Sequence, residues 1–220
     1  MTFLRGFQYK KSLSLVLAGI IIGGFLLYGY SSAGEQSKSE PCPFDSSDLA
    51  AATAYIKFKK IKKSFFPSGV PDIYGQELNI SFDKVQDAIN KVRVYGPTYG
   101  KEGKKIILTG DNLDRYTTIG SQIACQYCCS AKTLVRKDGT AACGCAHSAM
   151  MRGLTAYLIK NYPELSDEWI LKELNTWKIA YFPKQTFTAR LREMEKVGDE
   201  GIKEVLQEFP DFLPKMVGGC

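Results

Sequence analysis

Histidine is nearly missing from this chain: His147 is the one such residue in 220. That excludes metal centres built from several imidazoles and the paired-histidine helix of zinc proteases. A nucleophile elbow, a P-loop and a dinucleotide-binding glycine fingerprint are missing too, so acyl transfer, nucleotide hydrolysis and hydride transfer have no motif to start from. No internal repeat is present, which excludes a solenoid. Lys and Arg outnumber Asp and Glu by 29 to 23, a net charge of +6 without a dense basic stripe, so nucleic acid is not an expected partner. With 45% hydrophobic and 24% charged residues, the chain is ordinary globular material, neither collagen-like nor wholly disordered. Its length suits one or two compact units.

Acids are absent from residues 1–12, which carry Arg5, Lys10 and Lys11, and all charge is absent from residues 13–30. A helix crossing the hydrocarbon layer needs roughly 20 apolar residues, and about 17 can suffice. Residues 1–30 therefore read first as an N-terminal membrane anchor, with Tyr28 and Tyr30 at the interface. The basic flank puts the N-terminus inside and the bulk of a single-pass chain on the extracytoplasmic side. The second reading is a signal peptide cleaved near Ala33, after Ser31-Ser32-Ala33, which releases a secreted protein. No cysteine follows the apolar run directly, so a lipid anchor is not expected. Residues 31–48, rich in Ser, Gly, Glu and Lys and holding Pro41 and Pro43, read as a flexible linker. That leaves residues 49–220 as the exported domain.

The exported part is mainly α by pattern. Residues 47–65 carry Leu49, Ala52, Tyr55, Ile56 and Phe58 at helical spacing, with Ser46 or Ser47 as cap. The helix ends in Lys57-Phe58-Lys59-Lys60-Ile61-Lys62-Lys63, cations that favour the negative end of the dipole; anionic lipid headgroups are the alternative partner. Pro67, Gly69, Pro71 and Gly75 mark a connector. Ser81 caps a helix over 82–92 whose Phe82, Val85, Ile89 and Val92 share one face. Residues 105–109 read as a short strand. A helix over 148–160, stopped by Pro163, presents Met151, Leu154 and Leu158. Another starts at Ser166, carries the core stripe Ile170, Leu174, Trp177 and Tyr181, and ends at Pro183. Shorter amphipathic segments lie near 188–197 and 200–209.

Five of the seven cysteines and the histidine fall between Cys125 and His147, in a Cys-rich module over 123–150. Cys125-Gln-Tyr-Cys128 is a knuckle that can grip a tetrahedral ion, with Cys129 directly after it. Residues 132–135 and 140–142 flank Asp138-Gly139, a favoured hairpin turn, so a β-hairpin is expected to carry Cys143 and Cys145 back beside the knuckle. A helix beginning near His147 would stabilise thiolates at its N-terminus. Knuckle, hairpin and helix start make a treble-clef-like metal module. The first ligand choice is Cys125, Cys128, Cys143 and Cys145, with His147 behind them or replacing one, and Cys129 as a further candidate. Zinc is the first cofactor, with copper(I) and an iron–sulfur cluster as alternatives, the copper reading drawing on Met150 and Met151. An oxidising compartment instead favours disulfides. Cys42 and Cys220 lie far from the module and either pair together or are incidental.

The run Ala142-Cys143-Gly144-Cys145-Ala146-His147, followed by small residues and an apolar helix, resembles the signature of the PCYCGC-motif proteins, which are small exported bacterial proteins, often lipoproteins. The likeness covers residues 125–160 at most. This chain has alanine at 141 and 142, and its histidine stands closer to the last cysteine. The resemblance implies export and metal binding. The sequence thus points to a membrane-tethered, exported metal-binding module with a binding or accessory role rather than a catalytic one. Copper handling or thiol redox through the cluster is one alternative. A structural subunit of a membrane assembly is another, with Phe65-Phe66-Pro67, Tyr181-Phe182-Pro183 and Cys220 as contact features. The expected contacts are the membrane through residues 13–30 and a protein at the cell surface, with oligomeric state left open.

Overall fold

The computed structural model describes residues 49–198. The chain divides into units 1–41 and 42–220, and all described residues lie in the second. The anchor at 13–30, the linker at 31–48 with Cys42, the segment at 200–209 and Cys220 lie outside the described residues. No described helix is long and apolar enough to cross a membrane.

Seven α-helices follow in order among the described residues: α1 Leu49–Phe65, α2 Gly75–Leu78, α3 Val85–Val92, α4 Asp111–Ser121, α5 Ala146–Asn161, α6 Asp167–Tyr181 and α7 Pro183–Lys196. Single 3₁₀ turns at Phe82–Lys84 and Arg93–Tyr95 bracket α3. Ser81 starts the first of them, its hydroxyl accepting the Asp83 N–H, as a cap residue should. Ser166 does the same for α6 through the Trp169 N–H. Ile170, Leu174, Trp177 and Tyr181 are all fully buried. Pro183 both stops α6 and opens α7, because its fixed φ and missing N–H suit a first helical turn.

The centre of the domain is α5, in which every residue from His147 to Ile159 is buried. A helix covered on all sides needs neighbours all round, and α5 packs against α3, the turn at Arg93–Tyr95, α4 and α6. Gly153 permits the closest of these approaches, since a methyl there would stand 2.2 Å from the Val92 carbonyl oxygen. A smaller aromatic cluster joins α1 to α7: Tyr55 and Phe58 meet Phe187 and Leu191, with Phe65 and Phe66 packed on Phe187. Phe65 and Phe66 are therefore half-buried and Tyr181 and Phe182 are fully buried. These aromatics take part in internal packing.

Two expectations of β structure fail. Residues 105–109 form no strand, although Ile106 and Leu108 are buried and Ile107 is exposed, because no neighbouring strand takes up their backbone groups. Ile106 N–H instead donates to the Tyr95 carbonyl. The β-hairpin of the Cys-rich module shrinks to one isolated antiparallel bridge, Val135 with Ala141. The turn itself forms: Gly139 has φ +77°, and Asp138 Oδ1 accepts the Thr140 N–H. The ladder stops because Leu134 N–H is taken by the Gly120 carbonyl of α4, while two residues past the bridge the chain must turn into the Cys143–Cys145 helix start. The module is a knuckle, a tight turn and a helix start, without the strands of a treble clef.

Substituting Gly153→Ala separates packing from propensity. Helix propensity alone favours alanine by about 1 kcal/mol. The clash with Val92 should win, destabilising the fold by about 1–3 kcal/mol in urea unfolding, and a stabilised variant would refute the close approach.

Candidate metal centre

Three pieces of backbone deliver the sulfurs. The knuckle is shaped by Gln126, which sits at φ +72° between Cys125 and Tyr127, while Tyr127 N–H donates back to the Cys125 carbonyl. That left-handed residue turns the chain tightly enough to aim Cys128 and Cys129 at Cys125. The 130–142 turn returns the chain to α5. There Cys145 is the N-cap: its backbone is extended (φ −63°, ψ +156°), its carbonyl accepts the Ala149 N–H, and its sulfur accepts the Ser148 N–H at 3.4 Å. A sulfur in that position meets the positive end of the α5 dipole.

Cys125, Cys128, Cys129 and Cys145 converge, their sulfurs all within 4.8 Å of one another. The separations are 3.2 Å for Cys125–Cys128, 3.4 Å for Cys125–Cys129, 3.6 Å for Cys125–Cys145 and 3.2 Å for Cys128–Cys145. A disulfide needs about 2.05 Å, and no disulfide joins the five cysteines of the module. Zinc–sulfur bonds of about 2.3 Å in a tetrahedron put the sulfurs about 3.8 Å apart, so a slight expansion of this group accommodates one ion. Four cysteines close together can bind a metal ion.

Cys143, in the first ligand choice, lies outside the group of four, and Cys129, held as a further candidate, lies inside it. Cys143 is nevertheless adjacent: its sulfur accepts the Cys145 N–H at 3.4 Å and lies within hydrogen-bonding reach of Cys129. His147 is also outside the four. It is fully buried, its ring 4.6 Å from Phe182 and 5.0 Å from Tyr181, and its side chain hydrogen-bonds the Cys145 sulfur. A histidine so placed can orient and stabilise the neighbouring sulfur. Met150 and Met151 are fully buried, and the Met150 sulfur accepts the Tyr181 hydroxyl.

The sulfurs divide sharply in proton affinity. Cys145 is held far below the usual thiol range, first by the hydrogen bond from Cys125 and then, against the cost of burial, by His147, the Ser148 N–H and Cys128. Cys125 is pushed far up by the same bond to Cys145 and by burial, with Cys128 and Cys129 adding to it. Cys143 is raised to about 11, chiefly by burial and then by Cys129. The sulfur at the helix start is thus the one of these three whose charged form the surroundings favour.

A residue the sequence reading passed over lies behind this charge. Arg152 is fully buried on α5, two turns beyond Cys145, and its Nη1 donates to the Cys143 carbonyl at 2.8 Å and to the Leu134 carbonyl at 3.4 Å. Its Nε and Nη2 find no hydrogen-bond partner among the described residues. Burial lowers its proton affinity, while Tyr116 and the Cys145 and Cys143 sulfurs support the charge. A buried guanidinium needs a countercharge, and four thiolates holding a divalent ion would supply net negative charge on the same side of the domain. The sequence did carry a signal, since Arg152 interrupts Met150-Met151 and Gly153-Leu154 in an otherwise apolar helix.

No protein-family model, curated protein or solved structure matches this chain. The site is therefore read from its own geometry.

Arg152→Met should cost about 1–3 kcal/mol, because the Cys143 carbonyl loses its donor and the Leu134 carbonyl keeps only the Ala142 N–H. If the cation also balances the cluster, the cost measured by urea unfolding will be larger with metal present than after chelation. Equal costs would leave Arg152 a role in packing alone.

Proposed function

We propose that the described domain is a zinc-binding module in which Cys125, Cys128, Cys129 and Cys145 share one ion. The observation that carries this reading is the convergence of four sulfurs within 4.8 Å. Such a span suits one shared ion better than an iron–sulfur cluster, in which each thiolate sits on its own iron. Zinc is favoured over copper(I) because four thiolates in tetrahedral array match its usual structural site, and because the Met150 sulfur is already engaged by Tyr181. The ion would clip the irregular 122–145 segment to α5 and so shape the surface around it. In the same reading residues 13–30 tether the module to a membrane, with the domain on the extracytoplasmic side, and its work is to bind a protein there rather than to catalyse. The resemblance of 142–147 to exported PCYCGC-motif proteins supports that placement.

A second reading, thiol exchange at Cys145, draws on the stabilised thiolate there. Its weakness is access, since that residue is only 9% exposed.

Elemental analysis of the full chain, purified in mild detergent without added metal, decides between them. About one zinc per chain is expected, lost in a Cys125→Ser, Cys128→Ser double variant, with thiols becoming reactive only after chelation. No metal, with thiols that oxidise and reduce readily, would replace the first reading with the second.

A further inference from the structure

A cavity of about 340 Å³ lies between the 68–74 connector and α6, and no cysteine lines it. Ligand pockets span about 300–1,000 Å³, so a small molecule fits. The walls are largely apolar, with Val70, Ile73, Tyr74, Phe82 and Trp169 among them. Val70 and Ile73 stand 49% and 40% exposed and form an apolar rim. Three charged side chains complete the lining: Asp72 and Glu173 against Lys172. Glu173 is placed by a relay from the core. Trp177 Nε1 donates to the Tyr74 hydroxyl oxygen at 2.6 Å, and that hydroxyl donates to Glu173 Oε1 at 2.5 Å. Tyr74 and Trp177 are both fully buried, so the carboxylate is aimed by groups that packing holds in place.

We propose that this cavity binds a small organic amine, its ammonium against Glu173 and its apolar body among Phe82, Trp169 and the Val70–Ile73 rim. Two carboxylates outweigh one ammonium, which sets the sign of the ligand. Lys172 and Asp72 are exposed, where water and salt screen them, whereas Glu173 is half-buried and acts with less screening. The aromatic walls share the preference, because the face of a ring attracts a cation. A glutamine at 173 would accept the same Tyr74 bond without the cost of burying a charge. Burial does push the Glu173 carboxyl above its usual range, and an incoming cation would restore its charged form. The site shares no residue with the sulfur cluster, so it stands whether or not an ion binds there.

The test titrates the full chain, in mild neutral detergent, with three probes that share one apolar body: 2-phenylethylamine, 2-phenylethanol and phenylacetate, which are cationic, neutral and anionic at neutral pH. Trp169 in the wall and Trp177 behind Tyr74 are the two tryptophans of the chain, so their fluorescence reports occupancy. The amine should saturate with a Kd of about 1 mM or tighter, and the alcohol and the acid should bind at least about tenfold more weakly. Glu173→Gln keeps the size of the side chain and its bond from Tyr74. It should weaken the amine at least about tenfold and leave the alcohol unchanged. Asp72→Asn, at an exposed position that cannot disturb the core, should weaken the amine by about twofold to threefold. Should Glu173→Gln fail to fold, the ranking of the three probes on the wild-type chain and the Asp72→Asn result still decide. Equal affinity for amine and alcohol, tighter binding of phenylacetate, or undiminished amine binding in folded Glu173→Gln would overturn the proposal. So would the lack of saturation by the amine up to about 10 mM.

Discussion

The burial of α5 on every side is the constraint from which the rest of this domain follows. A helix with no solvent face has to be met by other elements all round, and each contact fixes something else. Gly153 lets the turn after α3 ride directly on its backbone. The stripe on α6 and the Tyr116 face of α4 close over the remaining sides. With α5 covered all round, packing holds its first turn, and Cys145 is the residue that caps it. One sulfur of the cluster thus sits on a packed helix terminus and three on the knuckle that folds back onto it.

That placement ties electrostatics to architecture. The free N–H groups and the dipole of α5 favour negative charge at Cys145, His147 adds a hydrogen bond from within the aromatic wall of Tyr181 and Phe182, and Arg152 supplies a buried cation further along the same helix. One helix thus carries one of the four sulfurs, its hydrogen-bonding support and a buried cation. The knuckle contributes three more sulfurs but little structure of its own, and most of the order in 122–145 is lent by α4 and α5.

Much of this was legible in the residues. The caps at Ser81 and Ser166, the stripe ending at Tyr181 and the stop at Pro183 were marked by local chemistry that tertiary packing did not override. The convergence of Cys125, Cys128 and Cys145 followed from spacing plus an Asp-Gly turn. What was hidden depended on partners distant in the chain. Helix α4 is written in Asn, Asp, Thr and Gly, poor helix formers, and is held by burying Tyr116 and Ile119 and by Arg115 reaching Asp167 and the carbonyls of Pro163 and Leu165. The hairpin failed for the same kind of reason, because Gly120 claimed the donor that a second ladder bond required. The exchange of Cys129 for Cys143 inside the four-sulfur group depends on how far the chain advances per residue through an irregular loop, which spacing alone does not determine.

The crowding of the sulfurs also governs the order of events in the life of the chain. Cys125 and Cys128 stand 3.2 Å apart, roughly 1 Å from the length of a covalent S–S bond. Thiols held so close to one another are quick to oxidise once one of them is a thiolate, and Cys145 is the one whose proton affinity the surroundings lower. An ion seated among them acts as a protecting group, occupying the lone pairs that an oxidant would attack. On the metal-binding reading proposed above, loading and oxidation compete for the same sulfurs.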